Sequence, residues 1–171
     1  VMTEVAAEVG DGYFLHPFNT ALSMDQLSLA AIARGLGKAD KPRGDYEVSA
    51  QVITATGLDE ESMNAAIASA RNQIAFYAST PAYLPVLKCH GWEDLQTDAN
   101  QMMREGKWAE LNNLIDDDIL NTFAVVGTPT EVAGKIATRF GGKVDRISPV
   151  VYQPDVALLA ELRSQISQAV R

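Results

Sequence analysis

The sequence has few of the cysteine and histidine residues that would indicate a disulfide-bonded or a zinc-binding protein. It has one cysteine, Cys89, and two histidines, His16 and His90, among 171 residues. One cysteine cannot form a disulfide within the chain, so we expect a reducing, cytoplasmic location. One cysteine and two histidines far apart in the sequence lack the ligand spacing of a zinc site, and we predict no bound metal.

Long apolar runs and clusters of positive charge are also missing. No stretch of about 18 apolar residues occurs, which argues against a membrane protein. Residues 1–12 contain two glutamates and no basic residue, so they do not resemble a signal peptide. The formal net charge is -8 and the 14 Lys and Arg residues are scattered, which argues against nucleic-acid binding.

What the chain does contain is the composition of a folded protein. Hydrophobic residues make up 47% and charged residues 21%, which excludes an intrinsically disordered chain. The length suits one substantial hydrophobic core, so we predict a single domain over residues 1–171.

Apolar and β-branched segments alternate with helical patterns along the chain. Strands are predicted at residues 13–15, 46–56 and 144–152, with a short extended piece at 123–126. Helices are predicted at residues 2–9, 23–39, 60–78 and 154–170, as several shorter helices between 81 and 122, and after Thr128. In the stretch Thr128-Pro129-Thr130-Glu131, the first and last residues form a capping box and the proline suits the first helical turn. The alternation predicts a parallel sheet covered by helices.

Three stretches, taken together, resemble one known family. They are EVAAEVGDGYFLHPF (residues 4–18), RNQIAFYASTPAYLPVLKCHGW (71–92), and FAVVGTPTEVAGKI (123–136) followed by GGKVDRISPV (141–150). In this order and at these distances they are similar to the C-terminal part of the luciferase-like monooxygenase superfamily, in its branch of probable oxidoreductases that depend on coenzyme F420.

The resemblance implies an α/β fold, the C-terminal portion of a (β/α)8 TIM barrel. Such a barrel typically needs about 250 residues. We therefore expect about three parallel strands with many helices, a helical insertion at about 58–122, and a chain that is a fragment. An open parallel sheet exposes unpaired backbone groups, so we expect its partner to be a missing N-terminal half-barrel or a second copy of the chain, as a homo-oligomer.

The function implied by the resemblance is hydride transfer between reduced F420 and a small organic substrate, with the isolated chain inactive. Two alternatives stay open. One is an FMN-dependent monooxygenase, as in other branches of the superfamily. The other is a non-catalytic fragment or interaction module that binds no cofactor.

The resemblance places a cofactor-binding loop at His16, Pro17, Phe18 and Asn19. His16 would hydrogen-bond a cofactor phosphate or a substrate oxygen, and Phe18 would pack on a ring. Asn19 stands where related chains often have a basic residue. The alternative interpretation is a loop in which Pro17 simply ends the strand.

A substrate pocket is predicted at the end of the helix before the first insertion turn, from Phe76, Tyr77, Ser79, Thr80 and Tyr83. These residues would supply apolar walls and a few polar groups. The alternative is that the hydroxyls cap the next helix and the rings fill the core.

Other polar residues have plainer interpretations. Thr54 and Thr56 end a predicted strand and would face the site, although threonine is also simply a good strand former. We interpret His90 as a helix-end residue and Trp92 as part of the core, with Cys89 as an inert thiol. The sequence identifies no catalytic residue.

Overall fold

Four parallel strands form the sheet at the centre of the computed structural model, which describes residues 2–169. In chain order the strands are β1 (Gly12–Leu15), β2 (Glu47–Ala55), β3 (Val125–Val126) and β4 (Arg146–Val150). β2 is central: Leu15 of β1 lies beside Ala50, Val150 of β4 lies beside Ile53, and β3 pairs with the carboxyl end of β2. Because all pairs are parallel, the carboxyl ends of the strands meet at one edge of the sheet.

Helices connect the strands and cover the sheet. The α-helices of the described residues are α1 (Met2–Val9), α2 (Ala21–Ser23), α3 (Ala30–Lys38), α4 (Glu60–Ala78), α5 (Leu84–Lys88), α6 (Glu93–Arg104), α7 (Asp117–Phe123), α8 (Pro129–Phe140) and α9 (Val156–Ala169). A π-helical segment, Met24–Leu29, joins α2 to α3. Three 3-10 helices lie at Arg43–Asp45, Pro81–Tyr83 and Trp108–Leu114. Helices α4 to α7 all lie between β2 and β3, in the region of the predicted insertion.

One hydrophobic core lies between the sheet and helices α1, α3, α8 and α9. Val48, Ala50 and Val52 of β2 are buried there with Ile32 of α3 and Ile136 of α8. Alternate residues of a strand point to opposite faces, so the three β2 residues define the helix-covered face of the sheet.

A second core lies at the carboxyl end of the sheet. Ile53 and Ala55, near the end of β2, pack with Phe18, Ile74 of α4 and Phe123 of α7. The helical insertion therefore covers the edge at which the strands end.

The other face of the sheet is open to solvent over much of its area. Phe14 of β1 is 74% exposed, and Glu47, Gln51, Arg146 and Ser148 are exposed as well. Glu47 and Arg146 form an ion pair of 2.9 Å across this face. We call these five residues the open face.

The local signals for helix starts are confirmed. Thr128 Oγ1 accepts from the Glu131 amide at 3.4 Å, Glu131 Oε2 accepts from the Thr128 amide at 2.8 Å, and Pro129 is the first residue of α8. At α4, Asp59 Oδ1 accepts from the Ser62 amide at 2.8 Å. Both caps satisfy amides that have no partner inside the helix.

Some predicted boundaries are wrong. Phe123 was expected in an extended piece, but it ends α7 and is 1% exposed, so β3 shrinks to Val125–Val126. The helix expected from Ser23 begins earlier, because Thr20 Oγ1 caps it by accepting from the Ser23 amide at 3.0 Å. The last residue of the predicted terminal helix, Val170, lies outside the described residues.

Candidate functional site

The candidate site lies where β1 and β2 end, at the carboxyl edge of the sheet. His16 is the first residue beyond β1 and is exposed there. The end of α4 and the 3-10 helix Pro81–Tyr83 lie against it and bring Tyr77 and Tyr83 to its ring. In (β/α)8 barrels this edge carries the active site.

The hydrogen bonds of His16 define its tautomer. Its Nδ1 accepts from the Phe18 amide at 3.1 Å, so the ring proton of the neutral form is on Nε2. Nε2 lies 3.0 Å from the Tyr83 hydroxyl and donates to it. The residue is exposed overall, but partial desolvation of its ring lowers the pKa of His16, which favours the neutral ring at pH 7. Because Tyr83 accepts from His16, its own O–H remains available to donate to a ligand.

An aromatic cluster supports this hydrogen-bonded pair. We define it as His16, Phe18, Tyr77, Tyr83 and Phe123. The His16 ring stacks on Tyr83 at 4.7 Å and meets Tyr77 edge-on at 4.8 Å, and Phe18 stacks on Phe123 at 4.3 Å. Burial is the main cause that raises the pKa of Tyr77, so its hydroxyl stays protonated at neutral pH. The cluster thus presents neutral rings and phenol groups.

A second hydrogen-bonded group ties the loop after β1 to the insertion. Thr20 Oγ1 lies 2.8 Å from His90 Nε2, and the His90 ring stacks on Trp92 at 4.6 Å. Ser23 Oγ donates to Asn19 Oδ1 at 2.5 Å, which fixes the side chain of Asn19. Burial lowers the pKa of His90, so this ring is also neutral at pH 7. The network therefore holds the loop without a net charge.

The residues of the predicted cofactor loop differ in how deeply they are buried. His16 is exposed and Asn19 is partly buried, whereas Pro17 and Phe18 are buried. Phe18 is 2% exposed, so in this structure it faces the aromatic cluster and supports the loop from beneath. A direct role in cofactor binding stays a prediction for all four.

The residues of the predicted substrate pocket are only partly brought together. Tyr77 and Tyr83 contact His16, whereas Phe76 is 43% exposed and lines a cavity with Trp108 and Tyr152. Ser79 is buried, and its Oγ donates to the Phe76 carbonyl at 2.7 Å. Thr80 precedes the 3-10 helix and makes no side-chain cap bond there. The structure thus gives Ser79 a helix-ending role.

Two hydroxyl groups near this edge are buried without a hydrogen-bond partner among the described residues. They are Thr56 Oγ1, one residue beyond β2, and the Tyr152 hydroxyl, two residues beyond β4. Buried polar groups are normally paired, so these two hydroxyl groups are unusual. Thr56 was among the residues expected to face the site. Tyr152 was missed, because its position beside α4 depends on long-range packing.

Sequence reasoning also missed the contact between Thr20 and His90. Thr20 is the cap residue of α2, and its pairing with Ser23 three residues later is a recognisable signal. Nothing local connects Thr20 to His90, which is 70 residues away in the sequence.

Two features that are absent from residues 2–169 concern metals and membranes. Histidine, cysteine, aspartate and glutamate side chains in this range do not gather into a group that could hold a metal ion. No helix in the same range is both long and apolar enough to cross a bilayer.

This fold, with its candidate site at the carboxyl edge of parallel strands, indicates a protein of the (β/α)8-barrel class. The chain belongs to the luciferase-like monooxygenase family, whose sequence pattern matches residues 1–146. An uncharacterized protein of Mycobacterium tuberculosis is 42% identical over 149 residues, which are 87% of this chain and 44% of that protein. The 5,10-methylenetetrahydromethanopterin reductase of Archaeoglobus fulgidus is 27% identical over 144 residues, which are 79% of this chain and 40% of the reductase. The chain therefore spans less than half the length of these relatives.

Two solved structures share the fold. The coenzyme F420-dependent tetrahydromethanopterin reductase of Methanopyrus kandleri matches with a TM-score of 0.74 and 22% identity, over 96% of this chain and 46% of the reductase chain. An F420-dependent secondary alcohol dehydrogenase, in complex with an F420-acetone adduct, matches with a TM-score of 0.64 and 14% identity, over 99% of this chain and 46% of the dehydrogenase chain. These matches confirm the expected fold, the C-terminal portion of a TIM barrel.

Proposed function

We propose that this chain forms part of an oxidoreductase that transfers a hydride between coenzyme F420 and a small organic substrate. The observation that carries the proposal is the group of His16, Tyr77 and Tyr83 at the carboxyl edge of the sheet, in a chain of the luciferase-like family. The F420-dependent reductase and dehydrogenase that share the fold support F420 as the cofactor.

The residues at this edge fit a deazaflavin. Its ring system has a flat apolar face and carbonyl oxygens that accept hydrogen bonds. His16, Tyr77 and Tyr83 of the aromatic cluster are at least partly exposed and offer the matching surface, and the Tyr83 O–H can donate. The buried Thr56 hydroxyl lacks a partner among the described residues. His16 and Asn19 would hold the cofactor through polar atoms, with Pro17 and Phe18 beneath them. F420 bound there would supply the hydride donor or acceptor.

The protein's own contribution is orientation and the exclusion of water. Phe18 and Phe123 are at most 2% exposed, so the floor of the site is dry and fixed. The phenol groups of Tyr77 and Tyr83 would contact a small substrate from the insertion side. Because His16 is neutral and donates through Nε2, it keeps the Tyr83 oxygen in place as a hydrogen-bonding group.

An FMN-dependent monooxygenase is the second candidate, because the family that matches the chain is described as luciferase-like monooxygenases. The same aromatic surface suits the ring of FMN. The two candidates differ in the cofactor that binds, which makes cofactor binding the discriminating measurement.

The open face supports a further part of the proposal, that the chain functions with a partner. Phe14 is 74% exposed on a sheet face that also carries the exposed Gln51 and Ser148. Large exposed apolar side chains on a sheet mark surfaces that become covered. We propose that an N-terminal half-barrel or a second copy of the chain covers this face, in the cytoplasm.

Titration with reduced F420 and with FMN tests the proposal. Both are added to the chain alone and to the chain supplied with an N-terminal half-barrel, such as that of the 42% identical mycobacterial relative. We expect saturable F420 binding in the completed protein. FMN binding in its place would favour the monooxygenase, and binding of neither would remove both enzyme proposals in favour of a non-catalytic module.

A matched pair of variants makes the test specific. Tyr83→Phe removes the proposed donor and should weaken F420 binding by about two- to tenfold, the usual effect of one neutral hydrogen bond. Tyr13→Phe is the control, because the Tyr13 hydroxyl bonds to Thr3 Oγ1 at 3.1 Å, away from the site. Equal effects of the two changes would contradict the assignment of Tyr83.

A further inference from the structure

A separate cavity lies along α4, near Tyr77 of the aromatic cluster. It has a volume of about 370 Å³, near the lower end of the range for small-molecule sites. Its lining consists of Ser69, Asn72, Gln73, Phe76, Trp108, Leu111 and Tyr152. A ligand that fills it must be small.

The walls of this cavity come from separate parts of the chain. Ser69, Asn72, Gln73 and Phe76 follow the spacing that puts residues on one face of a helix. The 3-10 helix Trp108–Leu114 supplies the facing wall. Phe76 is 43% and Trp108 is 55% exposed, so two aromatic rings flank the opening without being buried by the fold.

Tyr152 provides a specific polar group. Its hydroxyl is buried and makes no hydrogen bond to any described residue. Burial is the main cause that raises its pKa, and the nearby Tyr77 adds to the effect, so the phenol stays protonated and can donate. Leaving a buried hydroxyl unpaired is unfavourable, so binding of a hydrogen-bond acceptor in the cavity would be favoured by the hydrogen bond that Tyr152 could then donate.

The other groups in the lining restrict the ligand further. Ser69 Oγ donates to the Ala65 carbonyl at 2.9 Å and accepts from Gln153 Nε2 at 3.1 Å, so it is already satisfied. The described lining carries no charged side chain. An ionised ligand would therefore enter without a counter-ion, which is costly.

We propose that this cavity binds a small, uncharged ring compound with a carbonyl-type acceptor, held between Phe76 and Trp108 and hydrogen-bonded by Tyr152. The cavity adjoins the end of β4, at the same edge of the sheet as His16. Its assignment to the substrate of the oxidoreductase rests on the proposed function. The binding of such a compound in the cavity does not depend on the proposed function.

Three probes of nearly equal shape test the binding without any cofactor. Acetophenone has the ring and the acceptor, α-methylstyrene replaces the carbonyl oxygen by a methylene group, and benzoate carries a charge. Dissociation constants are measured by ligand-detected NMR or calorimetry. We expect acetophenone to bind saturably, about fivefold tighter than α-methylstyrene, which is the scale of one neutral hydrogen bond. Benzoate should bind more weakly than either.

Two variants separate the roles of the residues. Tyr152→Phe removes a hydroxyl that has no partner in the described structure, so it should fold normally and lower acetophenone affinity to that of α-methylstyrene. Trp108→Leu should weaken both neutral probes, since it removes one wall. Tyr13→Phe serves again as the control and should change neither.

The outcomes distinguish this inference from the proposed function. Absence of acetophenone binding, benzoate binding as tight as acetophenone, or an unchanged affinity in Tyr152→Phe would overturn the inference. Acetophenone binding in a completed protein that binds neither F420 nor FMN would support the cavity and refute the oxidoreductase. F420 binding without acetophenone binding would support the oxidoreductase and refute the ligand site in the cavity.

Discussion

Phe18 holds the loop that carries His16, and its removal should cost more than an ordinary core change. Its side chain is 2% exposed, and its ring stacks on Phe123 at 4.3 Å with 17° between the planes. It also meets Tyr77 at 5.8 Å and Tyr83 at 5.4 Å. Phe18→Ala therefore removes a buried ring from three aromatic neighbours, for which we expect a loss of about 3–5 kcal/mol in the free energy of unfolding.

A double-mutant cycle isolates the stacked pair from general burial. Phe18→Leu and Phe123→Leu each keep most of the apolar volume and remove one ring. If the stacking observed at 4.3 Å contributes, the double variant should show a coupling of about 0.5–1.5 kcal/mol. Phe14→Leu is the control in the chain alone, because Phe14 is 74% exposed and its change should lie within about 0.5 kcal/mol.

Urea unfolding followed by circular dichroism gives these values, provided that the slope of the transition is the same in all variants. A loss below about 1 kcal/mol for Phe18→Ala would show that the loop does not depend on its buried ring, since that is far below the range for a buried phenylalanine. Strict additivity of the two leucine variants would refute the stacking contribution. Either result would argue against the packing of Phe18 as the interaction that holds the His16 loop in place.

The stability of the fold should respond to pH, to two glycine substitutions and to loss of a helix cap. Desolvation lowers the folded-state pKa of both His16 and His90 below 6.5, so the unfolded chain takes up protons at a higher pH than the folded chain does. The free energy of unfolding should therefore fall as the pH drops below about 6.5. Substitution of both histidines by glutamine should flatten that fall, and an unchanged slope would contradict the prediction. A Cβ at Gly35 would clash with the Glu4 carbonyl oxygen of α1, whereas one at Gly37 meets no described residue within 4 Å. Thermal unfolding should show Gly35→Ala to be destabilising and Gly37→Ala to be stabilising by about 0.4–1 kcal/mol. Equal shifts would be inconsistent with close packing of α1 on α3. Thr128→Ala removes the cap of α8 and should cost about 0.5–2 kcal/mol in urea unfolding, with Thr128→Ser as the control that retains it.

Local chemistry explains which parts of the fold were predictable. The cap at Thr128 and the start of α8 at Pro129 depend on side chains within four residues, and both were placed correctly. The parallel sheet followed from the alternation of elements, and the resemblance of ordered motifs supplied the barrel. The short strand β3 was overestimated, because α7 continues through Phe123 and buries that ring in the second core.

The candidate site was predictable only as two separate segments. His16 was selected because it follows a strand, and Tyr83 because it follows a proline-led turn. Their hydrogen bond joins residues 67 positions apart. The same is true of Thr20 with His90, which no local pattern connects. The burial of Phe18, and a Tyr152 hydroxyl without a partner in residues 2–169, are consequences of packing around these long-range contacts.

The electrostatics of the site also constrain how an anionic cofactor would be held. The aromatic cluster and the Thr20–His90 network are neutral, and the cations that line a cavity beside Val126 are already engaged. Lys135 Nζ donates to the Val126 carbonyl at 2.6 Å, and Arg139 Nη2 donates to the Asn121 carbonyl at 2.9 Å, where it complements the carbonyl end of α7. Within the proposed function, this chain therefore supplies an uncharged wall for the ring. We therefore propose that the positive charge for a cofactor phosphate comes from the partner proposed to cover the open face, so F420 should bind far more tightly to the completed protein than to the chain alone.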